Sequence, residues 1–99
     1  MSETRSPYVV SGRSSGPDSS TLHQFDSPLY TQPSWEDVRA VIERISLTGS
    51  QVAALVGVQA RTVRKWTSPP ETSNHAPIPY AAWRLLLIAA DLVKPTILI

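Results

Sequence analysis

From residue 34 onwards, apolar residues recur every three or four positions, the spacing that places them on one face of an α-helix. The first such stretch predicts a helix over residues 35–46. Ser34 is suited to cap its N-terminus, and Glu36 and Asp37 lie in the first turn, where the helix dipole favours acidic side chains. The apolar face of this predicted helix consists of Trp35, Val38, Val41, Ile42 and Ile45.

Two shorter helices are predicted next, and a glycine separates them. Thr48 is suited to cap the second helix, which should end at about residue 55 or 56. Gly57 can adopt the positive φ that ends a helix without a Cβ penalty. The third helix is predicted over residues 59–67, and the prolines of residues 68–70 end it because proline lacks an amide hydrogen. The predicted inward-facing residues of the second helix are Val52, Ala53 and Val56.

A proline-rich loop at residues 68–79 leads to a last helix, predicted over residues 80–93. This helix is apolar on nearly every side, and Arg84 and Asp91 are its only charged residues. Four short helices cannot cover every side of it, so we expect it to be shared between the core and a second copy of the chain. The residues predicted to form this dimer interface are Trp83, Leu86, Leu87, Ala90, Ile97 and Ile99.

Residues 1–33 have a different composition, with eight serines, four prolines and no sustained period of apolar residues. Such a segment buries too little apolar surface to offset its ordering entropy, and we expect it to be mostly disordered. Two apolar patches, at residues 7–10 and 25–30, are the parts able to dock on a folded surface. The sequence therefore predicts an all-α fold of four or five short helices at residues 34–99, preceded by a flexible N-terminal tail.

Composition limits the possible functions. The formal net charge is +1, so binding to nucleic acid depends on where the charges lie and not on their sum. The chain has no cysteine and therefore no disulfide and no thiolate metal site. It has neither a secretory signal nor a long apolar run, and we expect a cytoplasmic protein that does not enter a membrane.

No set of residues matches a catalytic site. His23 lies in the tail and His75 in a loop, and neither has a second metal ligand at a suitable spacing. Glu36, Asp37 and Glu43 are interpreted as solvated charges on the first helix. We therefore expect no enzymatic activity, no metal and no cofactor.

The third helix carries three cations on one side. Successive helical residues turn by about 100°, which places Arg61, Arg64 and Lys65 opposite the apolar side that contains Trp66. Residues 44–70 contain no acidic residue that would neutralise these charges. A solvated basic helix face is one interpretation, but an uncancelled positive face also favours phosphates, and arginine can bridge the O6 and N7 atoms of guanine.

The spacing of the small and apolar residues in this region resembles a known motif. The sequences Val52-Ala53 and Val56-Gly57-Val58, followed by Val63 and Trp66, resemble the helix-turn-helix of phage-repressor-type regulators, the Cro or xenobiotic-response-element class. The stretch Ala76-Pro-Ile-Pro-Tyr80 is similar to one found in anti-CRISPR-associated repressors. The resemblance covers residues 34–93. Gly49 and Gln59 depart from it, since many members have glutamine and serine at those positions.

The resemblance implies a sequence-specific regulator of transcription that binds double-stranded DNA. Such a protein is expected to be a homodimer that recognises an inverted repeat and represses its own operon. The alternatives are a protein-interaction adaptor, as in antitoxins, and an architectural accessory factor of a mobile element. The residues that the resemblance assigns to DNA are Gln59, Arg61 and Arg64 at base edges, Lys65 at a base or phosphate, and Ser50 and Gln51 at the backbone.

Overall fold

Four α-helices follow one another in the computed structural model, which describes residues 16–72 and 74–95. A 3₁₀ turn, Ser19–Leu22, precedes them, and no strand occurs in the described ranges. The predicted all-α fold is confirmed. In chain order the helices are α1 at Trp35–Ile45, α2 at Gly49–Val56, α3 at Ala60–Trp66 and α4 at Tyr80–Ala89.

The first two helices begin with reciprocal hydrogen bonds between a capping side chain and the residue three positions later. The Ser34 hydroxyl accepts from the Asp37 amide at 3.1 Å, and the Asp37 carboxylate accepts from the Ser34 amide at 2.8 Å. Thr48 and Gln51 make the same pair of bonds, at 3.1 and 2.9 Å. These capping boxes satisfy amides that would otherwise lack a partner inside the helix. The predicted starts of both helices are confirmed.

A short turn at Gly57 joins α2 to α3. Gly57 has a φ of 80°, and the amides of Gly57 and Val58 both donate to the Ala53 carbonyl, at 2.8 and 3.0 Å. This left-handed conformation favours glycine, as predicted. Gln59 caps α3 without a side-chain hydrogen bond, so α3 depends on packing to stay folded.

All four helices contribute to one hydrophobic core. Val63 and Trp66 anchor α3 in it, and Trp83 of α4 is completely buried. The loop before α4 adds Ile78, which is 2% exposed. The other buried apolar residues are Val38, Val41, Val52, Ala53, Leu86, Leu87 and Ala90.

The core contains four of the residues predicted to form a dimer interface: Trp83, Leu86, Leu87 and Ala90. None is more than 6% exposed, because α1 and α2 pack against this side of α4. These residues therefore belong to the interior of one chain, and a dimer surface on α4 must use other side chains. The remaining two predicted interface residues, Ile97 and Ile99, lie outside the described ranges.

Helix α4 ends four residues earlier than predicted. Asp91 has a φ of 60°, and the Leu92 amide bonds back to the Leu87 carbonyl at 3.0 Å. This arrangement is a Schellman motif, which closes a helix C-terminus. Arg44 of α1 donates from Nε to the Ala90 carbonyl at 3.1 Å and so satisfies a second terminal acceptor.

Residues 16–33, the later part of the segment predicted to be a flexible tail, contact the helices. The Trp83 indole nitrogen donates to the Thr21 carbonyl at 3.0 Å, and the Arg84 guanidinium donates to the Leu22 carbonyl at 2.8 Å. Gln32 makes a similar bond to the Ile78 carbonyl at 2.8 Å. We call residues 16–33 the arm. The first fifteen residues, including the apolar patch at residues 7–10, are outside the described ranges.

The second apolar patch of the arm docks on the start of α4. The rings of Phe25 and Tyr30 lie 5.3 and 5.5 Å from the Tyr80 ring, measured between centroids. The hydroxyl of Tyr30 is buried and has no hydrogen-bond partner among the described residues. Burial, and secondly the neighbouring Tyr80, raises the Tyr30 pKa above its usual value. Phe25 itself stays 65% exposed.

Asp37 differs from its predicted role as a solvated charge. Its side chain is buried, with the residue only 3% exposed. Besides capping α1 it accepts a hydrogen bond from the Asp18 amide at 2.9 Å. Asp37 therefore joins the arm to α1.

We expect Asp37→Ala to lower the free energy of unfolding by about 1–3 kcal/mol, because it removes the carboxylate half of the capping box and takes an acceptor from the amides of Ser34 and Asp18. Glu36→Ala is the matched control, since Glu36 lies in the same first turn but is exposed. Its effect should stay within about 0.5 kcal/mol. Urea unfolding followed by circular dichroism measures both. An equal decrease in the free energy of unfolding of the two variants would contradict the role of Asp37 in joining the arm to α1.

Candidate nucleic-acid interface

Helix α3 has an apolar side inside the core and a cationic side in solvent. Val63 and Trp66 are 2% and 3% exposed. Arg61, Arg64 and Lys65 are all exposed. The predicted division of the helix into two sides, with Trp66 in the core, is therefore confirmed. Its physical cause is the helical period, which separates residues 63 and 66 from residues 61, 64 and 65.

Hydrogen bonds hold the C-terminal end of α3. The hydroxyl of Ser68 donates to the Arg64 carbonyl at 2.6 Å, and the Ala76 amide donates to the Lys65 carbonyl at 3.1 Å. In the same loop, a ring nitrogen of His75 lies 2.7 Å from the Ser68 carbonyl. These contacts satisfy carbonyls that a helix end leaves open, and they fold the loop back against α3.

This folded loop creates an open groove beside the cations. The groove is lined by Arg61, Arg64, Lys65, Ser68 and Asn74. Three of these side chains are cationic and the amide of Asn74 can donate a hydrogen bond, which suits an anionic ligand, whereas the Ser68 hydroxyl already donates to the Arg64 carbonyl. Ser68 and Asn74 could not be identified from the sequence, because their position depends on the loop contacts and not on a helical period.

The side chain of Gln59 contacts Arg61. Gln59 Oε1 accepts a hydrogen bond from Arg61 Nε at 3.0 Å. The terminal nitrogens of Arg61 have no partner among the described residues, and no carboxylate there pairs with Arg61, Arg64 or Lys65. Three cations are therefore available to a ligand, and one of them is held in position by a neighbouring amide.

Ser50 and Gln51 lie in the first turn of α2 and are both exposed. The Gln51 side chain and its backbone amide are engaged with Thr48 in the capping box. The Ser50 hydroxyl makes no hydrogen bond to the described residues. Of the two residues predicted to contact the DNA backbone, Ser50 is therefore the one whose side chain is available to a ligand.

The rest of the described chain offers little other chemistry. In residues 16–72 and 74–95, no group of three or more histidine, cysteine, aspartate or glutamate residues is placed to hold a metal ion. None of the helices in these ranges has the length and hydrophobicity needed to cross a membrane.

Comparison with known proteins identifies relatives by sequence. The chain is 41% identical over 66 residues to the transcriptional repressor protein KorC of Escherichia coli, which covers 64% of this chain and 72% of that protein. A second KorC protein of Escherichia coli is 40% identical over 60 residues, which covers 58% of this chain and 65% of the relative. No protein-family model matches the chain, and no solved structure matches it significantly. Identity at this level over most of a relative's length shows common descent, and the chain belongs to the family of the transcriptional repressor protein KorC.

Proposed function

We propose that the protein is a repressor of transcription that binds double-stranded DNA by placing α3 in the major groove. The observation that carries the proposal is the set of three unpaired cations on a helix whose opposite side is buried in the core. A helix held in this way can present its side chains to base edges without reorganising. The relatives' name, transcriptional repressor protein, agrees with this function.

The proposed DNA contacts are of two kinds, contacts to base edges and contacts to phosphates. Arg61 and Arg64 are suited to guanine, because a guanidinium can donate to O6 and N7 together. Lys65, with Asn74 of the groove, is suited to phosphate oxygens, which fix the register of the protein on the duplex. Ser50 at the start of α2 extends the phosphate contacts, since helix N-termini favour anions.

Two copies are needed for tight binding. A monomer with so few cationic contacts should bind DNA weakly and lose affinity steeply with salt. A symmetric dimer places two copies of α3 in successive major grooves, about 34 Å apart, on an inverted repeat. We propose that this repeat lies upstream of the protein's own gene, in keeping with the resemblance to autoregulated repressors.

Replacing both Arg61 and Arg64 by alanine should lower the affinity for selected duplex DNA by roughly a hundredfold, because two bidentate base contacts are lost. Fluorescence anisotropy on duplexes selected from a random library measures this change. The slope of log affinity against log salt should also become shallower, because the variant loses two cations that displace counterions from the duplex.

Arg39→Glu is the matched control, because it changes the net charge by the same amount as the double alanine variant. Arg39 is exposed on α1, and its guanidinium carbon lies 5.9 Å from the centre of the Trp35 ring. This variant should bind DNA within about threefold of the parent, since only a long-range charge is altered. DNA binding that survives the double variant with its fold intact would reject α3 as the reading helix. An adaptor function would then be favoured.

Gln59 gives a second prediction, because its hydrogen bond positions Arg61. Gln59→Ala should weaken binding by about three- to tenfold, the net value of a typical solvent-exposed hydrogen bond. The loss should be confined to duplexes that retain the guanine read by Arg61.

The control is the same substitution in an Arg61→Ala background, where Gln59→Ala should have no further effect. If Gln59→Ala costs the same affinity in both backgrounds, Gln59 contacts DNA directly and does not act through Arg61. Anisotropy titrations on one duplex compare the unaltered chain, the Gln59→Ala and Arg61→Ala variants and the double variant, which together form a double-mutant cycle.

A further inference from the structure

Gln32, near the end of the arm, makes a hydrogen bond to a residue 46 positions later in the sequence. Its Nε2 donates to the carbonyl oxygen of Ile78 at 2.8 Å. The backbone of Gln32 is fixed on both sides, because the Thr31 amide donates to the Ser20 carbonyl at 3.2 Å and Pro33 is buried. The side chain of Gln32 therefore reaches the loop before α4 from an anchored position.

The arm is also attached to α4, by two bonds to its backbone carbonyls. Trp83 donates to the carbonyl of Thr21 at 3.0 Å, and Arg84 donates to that of the next residue at 2.8 Å. Thr21 is 1% exposed and Trp83 is completely buried, so the first of these bonds is shielded from water. Such a bond is costly to break, because both of its partners would stay buried and unpaired. This attachment lies next to Ser20, which holds Thr31.

The loop that Gln32 contacts contains two prolines. Pro77 and Pro79 flank Ile78, and each proline ring fixes its own φ and restricts the preceding residue to an extended conformation. The side chain of Ile78 is buried in the core, and its carbonyl is held by Gln32. Because so few backbone angles in this segment are free to change, a displacement at Ile78 is transmitted to Ala76.

Ala76 connects this segment to the C-terminal end of α3. Its amide donates to the Lys65 carbonyl at 3.1 Å, and the neighbouring His75 has a ring nitrogen 2.7 Å from the Ser68 carbonyl. Asn74, the preceding residue, lines the groove together with Lys65. The position of these groove residues therefore depends on a loop that is also bonded to the arm.

We propose that the arm positions the DNA-binding surface, and that Gln32 is the positioning residue through which it acts. This inference rests on the proposed function, since it concerns the groove to which that function assigns phosphate contacts. Gln32 orders the loop before DNA binds, so that less of the binding free energy is used to order it during binding. Without the bond from Gln32 the loop fluctuates more, and the affinity for DNA falls.

A purely structural role of Gln32 predicts a different result. Loss of the bond would then increase the opening of the whole domain, whereas a positioning role increases the opening of the loop alone. Hydrogen exchange separates these two roles. The Ala76 amide reports on the loop, and the indole N–H of Trp83 reports on the attachment of the arm to α4.

Gln32→Ala tests the positioning role, and Gln24→Ala is its matched control. Gln24 is an exposed glutamine of the same arm, and its side chain makes no hydrogen bond to the described residues. In the free protein, Gln32→Ala should speed the exchange of the Ala76 amide by about two- to tenfold, the effect of losing one hydrogen bond. Exchange of the Trp83 indole should change by less than about twofold. Gln24→Ala should change neither rate, and NMR spectroscopy measures both.

A variant with a carboxylate gives a graded test of the same bond. Gln32→Glu keeps the length of the side chain but replaces the donor by an acceptor, which repels the Ile78 carbonyl. Exchange of the Ala76 amide should therefore be faster than in Gln32→Ala. Gln24→Glu controls for the added charge and should match the unaltered chain. An unaltered rate in Gln32→Glu would contradict donation from Gln32 to the loop.

The second measurement is the affinity for a selected duplex. Gln32→Ala should weaken binding by about two- to tenfold, since the loss cannot exceed the hydrogen bond that is removed, and Gln24→Ala should leave it unchanged. In a background with Lys65→Ala and Asn74→Ala, these side chains no longer contact phosphate, and Gln32→Ala should have no further effect. Urea unfolding followed by circular dichroism checks that every variant is folded.

The inference is overturned if Gln32→Ala leaves the exchange of the Ala76 amide unchanged, or if it speeds the Ala76 amide and the Trp83 indole equally. It is also overturned if DNA affinity stays unchanged, or if the full loss persists in the background without Lys65 and Asn74. The exchange rates are measured without DNA and so separate this inference from the proposed function. A chain with the expected exchange rates that binds no duplex DNA would retain the connection between arm and loop and reject the function.

Discussion

The burial of Val63 and Trp66 is the interaction on which the candidate interface depends. Helix α3 has seven residues, too few to form a stable helix alone in water, and it begins without a side-chain cap. It is helical because these two side chains pack into the core, where they are 2% and 3% exposed. Their burial also determines the rotation of α3 about its own axis. The outward direction of Arg61 and its neighbouring cations is therefore a consequence of core packing.

Much of this arrangement was predictable because its causes are local in sequence. The capping side chains of Ser34 and Thr48 act on amides three residues away, so both helix starts could be read from the residue types and their spacing. Gly57 ends α2 for a reason that concerns its own backbone, a φ of 80°. The two sides of α3 follow from the helical period. The three cations of α3 could thus be placed on one side of the helix from the sequence alone.

Other features depended on contacts that leave no periodic pattern. Helix α4 is apolar on nearly every side. The spacing of its apolar residues therefore does not distinguish the inner side, which contains Trp83, from the outer side, which contains Leu85. The arm binds largely through backbone carbonyls, such as that of Thr21, which accepts from an indole 62 residues away. A backbone carbonyl is the same at every residue, and the sequence therefore gives no sign that one will be used. The groove residues Ser68 and Asn74 escaped prediction for a similar reason.

The arm and the core together determine what α4 can do. The core covers one side of α4 through Leu86 and Leu87, and the arm contacts an edge through Arg84, which leaves Leu85 exposed on the outer side. Since α4 packs against α1 and α2, and α2 packs against α3, the core that buries the inner side of α4 also helps to position α3 and its cationic side.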